Sequence, residues 1–116
     1  MVKYKEEQQA EELDFIFMSL SDPIRRSILK RVAQSPLAVS EIASSYAISL
    51  PAVSKHLRIL ERARLISRHK SGRKRIVVLN PAALKTAAEH VAYYQKFWNE
   101  RLDALADYLE GGERHD

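Results

Sequence analysis

The fold is decided by residues 40–80, which read SEIASSYAISLPAVSKHLRILERARLISRHKSGRKRIVVLN. This stretch predicts a short helix over residues 41–45, a turn over residues 46–48, and a second helix that begins after Ser49. Ser40 and Ser49 suit the starts of the two helices, because a serine hydroxyl accepts from the free backbone N–H groups of a first turn. The two helices and their short turn predict a helix-turn-helix.

The second of these helices has two contrasting faces. Val53, Leu57 and Leu60 fall within about 60° of one another at 100° per residue, which predicts a buried stripe. The opposite arc is small, polar or basic and consists of Pro51, Ser54, Lys55, Arg58 and Arg62. Small side chains permit close approach to a major groove, and long cations can reach bases or phosphates from there.

Two short β-strands are predicted after this helix, over residues 65–69 and 75–79. Residues 70–73 join them into a hairpin, with Gly72 available for a positive φ. The sequence therefore predicts a mainly α-helical fold with one small β-hairpin.

Positive charge is concentrated in this region. Residues 55–75 contain nine Lys and Arg and one acid, Glu61, giving a net charge of +8, whereas the whole chain carries +4. The remainder of the chain is therefore acidic, and the basic segment is typical of a protein that binds a phosphate backbone. A membrane surface also attracts cations, but membrane-binding helices pair them with exposed large apolar residues. Part of this charge lies on a hairpin, which fits nucleic acid better.

Composition narrows the class of protein further. The 116 residues suffice for one domain. The chain has no cysteine, which excludes disulfides, thiolate metal sites and a cysteine nucleophile. No apolar run approaches the roughly 18 residues needed to cross a bilayer, and no secretory segment follows Met1. We expect a soluble cytoplasmic protein with no membrane association. No phosphate loop or catalytic constellation predicts an enzyme, and no cofactor is expected.

Three further helices are predicted outside the central stretch. The first covers residues 5–19, and the second begins at Pro23, capped by Asp22, and ends before Pro36. Its basic residues, Arg25 among them, are predicted to face outward. The last helix begins at Pro81 and is expected to end near Leu109, before a flexible tail over residues 111–116.

The last helix is too apolar for a single packing face. From Ala87 to Leu109, 14 of 23 residues are apolar, more than the exposed helix of one small domain needs. The surplus predicts burial against a second copy of the chain, alongside the first helix. The expected interface residues are Phe15, Val91, Tyr94, Trp98, Leu102, Leu105 and Leu109. The aromatic cluster around Trp98 could instead line an effector pocket, but dimer burial is favoured because aromatic residues dominate interfaces.

Several segments resemble the ArsR/SmtB family of bacterial winged-helix repressors. Residues 21–29, SDPIRRSIL, resemble the opening of that family's second helix, and residues 39–43 with 49–63 resemble its helix-turn-helix. The Gly72-Arg73 hairpin and Leu79-Asn80-Pro81 look like its wing. Residues 94–105 resemble the last helix of a cysteine-free branch of the family.

The resemblance implies a winged helix-turn-helix over residues 1–110. It also implies a homodimer formed through the first and last helices, which binds double-stranded DNA at a palindromic operator. It implies recognition-helix contacts from Ser49, Pro51, Ala52, Ser54, Lys55 and Arg58. It implies wing contacts from Arg68, Lys70, Arg73, Lys74 and Arg75. The effector, if one exists, stays unknown from the sequence, and a winged-helix module that binds protein is the rival interpretation.

Two positions depart from the family pattern. Arg64 stands where a glycine is usual, so either it adopts left-handed geometry at a cost of about 1–2 kcal/mol or the helix ends differently. The metal-sensing members use cysteines near the third helix or paired His, Asp and Glu sets on the last helix. This chain has no cysteine, and His90 lies among Glu89, Glu100 and Asp103 without the paired histidine spacing, so no metal site is predicted. His56 is interpreted as a packing histidine bonded to backbone, and His69 as either a phosphate contact or a solvated side chain.

Overall fold

The computed structural model describes residues 2–114, and of residues 2–6, 9 and 112–114 it describes the backbone alone. The helices are α1 (Val2–Leu20), α2 (Pro23–Gln34), α3 (Val39–Ser44), α4 (Leu50–Arg62) and α5 (Pro81–Arg114). The strands are β1 (Leu37–Ala38), β2 (Ile66–Ser71) and β3 (Lys74–Leu79). The chain forms two compact units that meet within α5, between Lys85 and Thr86, and each is described by itself.

Two of the predicted helix starts are confirmed. The Asp22 carboxylate accepts hydrogen bonds from the backbone N–H groups of Ile24 at 2.8 Å and Arg25 at 3.1 Å, and Pro23 occupies the first helical position. At α4, the Ser49 hydroxyl accepts from the backbone N–H of Ala52 at 3.2 Å. Each cap satisfies amides that have no partner inside the helix.

The predicted start of α3 is wrong. The helix begins at Val39, so Ser40 lies inside it and the capping position falls to Ala38. Alanine has no side-chain acceptor, but the Glu41 carboxylate accepts from the backbone N–H of Ala38 at 3.3 Å. Half of a capping box therefore fixes this helix start.

Both terminal helices are longer than predicted. α1 begins at Val2, and α5 continues past Leu109 and through Gly111-Gly112 to Arg114. A glycine inside a helix costs only about 1 kcal/mol relative to alanine, so it does not by itself end the helix. The flexibility of residues 111–116 stays a prediction, and residues 115 and 116 lie outside the described part.

The sheet has three strands rather than the two of a simple hairpin. Its order is β1-β3-β2, with all neighbours antiparallel, and Leu37 of β1 pairs with Val77 of β3. The predicted hairpin is confirmed, with a tighter turn in which only Gly72 and Arg73 separate Ser71 from Lys74. The φ of +64° at Gly72 suits the first position of a type II′ turn.

The core of the first unit lies where α2, α3, α4 and the sheet meet. The predicted buried stripe of α4 is confirmed, since Val53, Leu57 and Leu60 are almost fully inaccessible. The other large side chains at this level of burial are Ile28, Ile42, Leu65 and Val77. Each such residue contributes about 1.5–3 kcal/mol on burial, so the core fixes α4 against the sheet.

The end of α4 takes the left-handed alternative predicted for Arg64. Its φ is +61°, its N–H donates to the Glu61 carbonyl at 2.9 Å, and the N–H of Leu65 donates to the Leu60 carbonyl at 3.0 Å. This pattern is a Schellman motif, and the burial of Leu60 and Leu65 supplies its usual apolar contact. The chain therefore turns from α4 into β2 within three residues.

Arg25 does not face outward as predicted. It is buried, and its Nε donates to the Ser19 carbonyl at 2.8 Å while Nη2 donates to the Met18 carbonyl at 3.1 Å. These carbonyls lie in the last turn of α1, where intrahelical donors are absent. Arg25, a residue of α2, therefore supplies hydrogen-bond donors to the carbonyls at the end of α1.

Candidate nucleic-acid interface

The outer arc of α4 is open to solvent. Ser49, Pro51, Lys55 and Arg58 are exposed, and Ala52 and Ser54 are half-buried. Ser49 caps α4 and the other five predicted recognition residues lie in it, and none of the six is buried. We call this surface, Ser49 to Arg58 on the outer arc, the reading face.

The turn that precedes α4 is tied to α2. The hydroxyls of Ser27 and Tyr46 lie 2.8 Å apart and share a hydrogen bond, and the Arg31 guanidinium lies 5.7 Å from the centroid of the Tyr46 ring. Both contacts join the helix-turn-helix turn to the helix behind it. The reading face is thus held by a packed core and by an anchored turn.

The hairpin of β2 and β3, here called the wing, carries its charge near the tip. Lys70, Arg73, Lys74 and Arg75 are all exposed. Lys70 lies directly opposite Arg75 in the strand pairing, so the two cations share one face of the wing. Like charges in this arrangement repel, and a phosphate between them would relieve that repulsion.

Three of the nine cations in residues 55–75 already have partners in the protein. The Arg62 guanidinium lies 4.8 Å from the centroid of the Phe15 ring, and Arg64 Nη1 lies 3.9 Å from Oε1 of Glu12. Arg68 forms an ion pair with Glu61. The other six, among the described residues, have no acidic partner: Lys55, Arg58, Lys70, Arg73, Lys74 and Arg75. The reading face and the wing tip hold all of them.

The two histidines of this region have different surroundings. Nη1 of Arg25 lies 3.1 Å from Nδ1 of His56, so the packing interpretation of His56 holds but its partner is a side chain rather than backbone. His69 is exposed, and its Nε2 lies 3.0 Å from the Ser67 hydroxyl on the same strand.

Leu50 is a candidate that the sequence did not single out. It opens α4 with 59% of its surface exposed, beside Ser49 and Pro51. Helical periodicity places it within about 20° of Leu57 and so predicts burial. The first turn instead projects beyond the core. An exposed apolar side chain at the tip of a groove-entering helix suits the methyl group of thymine.

The second unit presents an exposed apolar stripe along α5. In the single chain the large apolar residues from Val91 to Leu109 are 36–76% exposed, including those predicted for the dimer interface: Val91, Tyr94, Trp98, Leu102, Leu105 and Leu109. In the first unit the predicted interface residue Phe15 is half-buried beneath Arg62, and among the side chains of α1 that the structure describes, Phe17 and Met18 are the exposed large apolar ones.

Other kinds of site find little support in the described residues. No cluster of three or more metal-ligating side chains occurs among them. Within the same part of the chain, no helix is both long and apolar enough to span a bilayer.

The fold and charge distribution define a winged helix-turn-helix of the DNA-binding class, and comparison with known proteins identifies its family. Residues 22–68 match the family described as bacterial regulatory protein, arsR family. The HTH-type transcriptional regulator Rv2034 of Mycobacterium tuberculosis is 37% identical over 100 residues, which are 84% of this chain and 88% of that protein. The chain belongs to the ArsR family of transcriptional regulators, which are not enzymes.

Two further comparisons agree with this placement. The transcriptional repressor SdpR of Bacillus subtilis is 37% identical over 70 residues, 60% of this chain and 78% of SdpR. The solution structure of a homodimeric winged helix-turn-helix DNA-binding domain from Mycobacterium bovis covers 84% of this chain and 88% of its own, with a TM-score of 0.62 and 22% identity. At that identity the likeness concerns the fold.

Proposed function

We propose that this protein is a homodimeric repressor that binds a palindromic DNA operator through α4 and the wing. The observation that carries the proposal is the placement of the six cations of residues 55–75 that have neither an acidic nor an aromatic partner among the described residues, which occupy the reading face and the wing tip. Within the described residues no ion pair gives these six charges an intramolecular role. A polyanion that contacts both surfaces would neutralise them together.

The two basic surfaces have different tasks. On the reading face, Lys55 and Arg58 are long enough to donate to guanine O6 and N7, while Ala52 and Ser54 permit the helix to approach. Leu50 would contact thymine methyl groups at the tip of the helix. On the wing, Lys70, Arg73, Lys74 and Arg75 would contact backbone phosphates, which position a protein without reading sequence.

The α5 stripe supports dimerisation. Its members repeat every 11 residues, since Val91 and Leu102, Tyr94 and Leu105, and Trp98 and Leu109 are each 11 apart. Such a repeat keeps an apolar seam almost parallel to the helix axis, and it favours a nearly straight or slightly right-handed pairing of two helices. A second copy of α5 fits this seam, and the homodimeric Mycobacterium bovis domain has the same fold.

A dimer with two-fold symmetry presents two copies of α4 to the DNA. We therefore expect an imperfect palindrome whose half-sites lie about one helical turn, roughly 10 base pairs, or slightly more apart. The repressor role is supported by the similarity to SdpR, whose name describes a transcriptional repressor. The protein would act in the cytoplasm, where its DNA is, with no metal or other cofactor required for binding.

The test is selection of genomic DNA fragments by the purified full-length protein, followed by sequencing. We expect the enriched fragments to share a two-fold symmetric motif and to lie near transcription starts. A reporter gene transcribed from such a start should be silenced when the protein is present. Enrichment without a shared motif would contradict sequence-specific binding. Early elution from heparin or random DNA at low salt would favour the rival protein-binding module.

A further inference from the structure

One of the predicted wing contacts points into the protein instead of toward the solvent. Nη2 of Arg68 donates a hydrogen bond to Oε1 of Glu61, in the last turns of α4. The Arg68 side chain is 21% exposed and the Glu61 side chain 33% exposed, so water screens this ion pair only in part. The contact joins the middle of β2 directly to the recognition helix.

Arg68 lies at the point where the wing leaves the core. It is paired with Val77, which is fully buried, and on the same face the next pair toward the tip is Lys70 with Arg75, both exposed. The core fixes the base of the hairpin up to Val77. Arg68 lies at that level, and its side chain links the base of the hairpin to α4 just before the charged tip begins.

Glu61 makes two contacts at the end of α4, and one of them reaches the wing. Its backbone carbonyl accepts from the N–H of Arg64 in the Schellman motif, and its carboxylate accepts from Arg68. It is also the one acid among residues 55–75. Pairing with Arg68 therefore gives the one negative charge of this basic segment a partner on the wing.

We propose that Arg68 is a positioning residue, which sets the angle of the wing against α4 through Glu61, and that it does not bind phosphate. The inference rests on the proposed DNA-binding function and deepens it. With the ion pair in place, helix and wing approach DNA as one rigid unit. Without it, the tip can tilt and the free carboxylate of Glu61 repels the phosphate backbone.

The direct test is an exchange of the two charges. Arg68→Glu alone should weaken binding to the selected operator more than about tenfold, because two carboxylates then face each other and the coupling between contacting residues is lost. Hydroxyl-radical protection of the flanking DNA by the wing should disappear. Adding Glu61→Arg to the same chain should restore affinity to within about threefold of the wild-type protein and recover the flanking protection.

A matched control separates geometry from total charge. Lys70→Glu lies on the same strand and the same face, two residues nearer the tip. Adding Glu61→Arg to Lys70→Glu gives the same net charge as the exchanged pair, and it should not recover the flanking protection. Equal recovery in both double variants would mean that charge alone matters and would overturn the proposal.

A neutral variant provides a second test, which does not require the fold to tolerate a reversed charge at position 68. Arg68→Gln keeps a donor toward Glu61, so the log–log slope of affinity against salt should stay that of the wild type. A phosphate ligand would instead flatten that slope by about one unit per subunit. If the wild-type protein does not prefer the selected operator over scrambled DNA, the proposed function itself fails. If it does but the exchange gives no rescue, only the role of Arg68 is wrong.

Discussion

The guanidinium of Arg25 in α2 and the imidazole of His56 in α4 are joined by a hydrogen bond, with Nη1 3.1 Å from Nδ1. An arginine side chain has only donors, so Nδ1 of His56 is the acceptor. The same guanidinium bonds the Ser19 and Met18 carbonyls of α1. One buried cation thus ties the recognition helix to the end of the first helix.

Removing this cation should cost stability. Arg25→Ala is expected to lower the free energy of unfolding by about 2–3 kcal/mol, because it removes the donor to the buried Ser19 carbonyl and to the half-buried Nδ1 of His56. The measurement is urea unfolding followed by circular dichroism. The control is Arg26→Ala, whose exposed side chain bonds the Leu20 carbonyl at 2.8 Å and should change stability by no more than about 0.5 kcal/mol. Equal losses for the two variants would show that Arg25 has no special role.

The Asp22 cap of α2 should make the free energy of unfolding depend on pH. Desolvation raises the pKa of Asp22, but hydrogen bonds from the N–H groups of Arg25 and Ile24 and electrostatic interactions with His56 and Arg25 outweigh it, so the pKa lies below its ordinary value of 3.8. A lowered folded-state pKa stabilises the protein fully above the unfolded-state value, and this contribution is lost as pH falls through the folded-state pKa.

Asp22→Asn keeps a capping side chain but removes the titration. Its stability relative to the wild type should therefore be lower at pH 6, and the two should converge as pH falls below about 3.8, the ordinary value for this carboxyl. Thermal unfolding across this pH range checks the expectation. A constant difference between the two proteins down to the lowest pH would contradict it.

The left-handed residue after α4 offers a stabilising substitution. Arg64→Gly should raise the free energy of unfolding by about 1 kcal/mol, because glycine adopts the φ of +61° without the strain of a side chain. The pair with Glu12 is long at 3.9 Å and mostly exposed, so its loss costs little. Arg64→Ala removes the same pair but keeps the strain, and it should bring no gain. A gain of equal size for alanine would mean that the backbone is not strained.

Dimerisation should depend on the apolar stripe of α5. Trp98 is 57% exposed in the single chain, and Trp98→Ala should weaken the dimer by about 2 kcal/mol or more, roughly a 30-fold rise in its dissociation constant. Lys96→Ala, on the far side of the helix about 160° away, should leave the constant unchanged. Sedimentation equilibrium measures both. A wild-type chain that is monomeric at tens of micromolar would refute the dimer.

Periodic and capping signals made much of the fold predictable. The α4 stripe follows from helical spacing, and Asp22 and Ser49 cap helices because their short side chains reach local amides. The capping rule does not locate the start of α3, because this helix begins directly after β1, and a strand of two residues has no periodic pattern. Strand and helix boundaries of this kind depend on pairing with residues distant in sequence.

The sequence could not predict which groups within the protein the charged side chains contact. Charged residues mostly lie at the surface, so the sequence predicts that Arg25 faces outward. Only tertiary packing places it against α1 and His56. In the same way Arg68 and Lys70 are indistinguishable as two cations of one strand. Their difference arises because α4 brings Glu61 within reach of the first and not of the second.

The central claim is that α4 reads sequence while the wing attracts the backbone, and the most direct test titrates Arg58→Ala and Arg73→Ala against operator and scrambled duplexes at several salt concentrations. Arg58→Ala should lose about 1–3 kcal/mol on the operator alone, so that specificity falls. Arg73→Ala should weaken both duplexes alike and flatten the salt slope by about one unit per subunit. If Arg58→Ala leaves the ratio of the two affinities unchanged while Arg73→Ala abolishes it, the wing is the reader and the account is wrong.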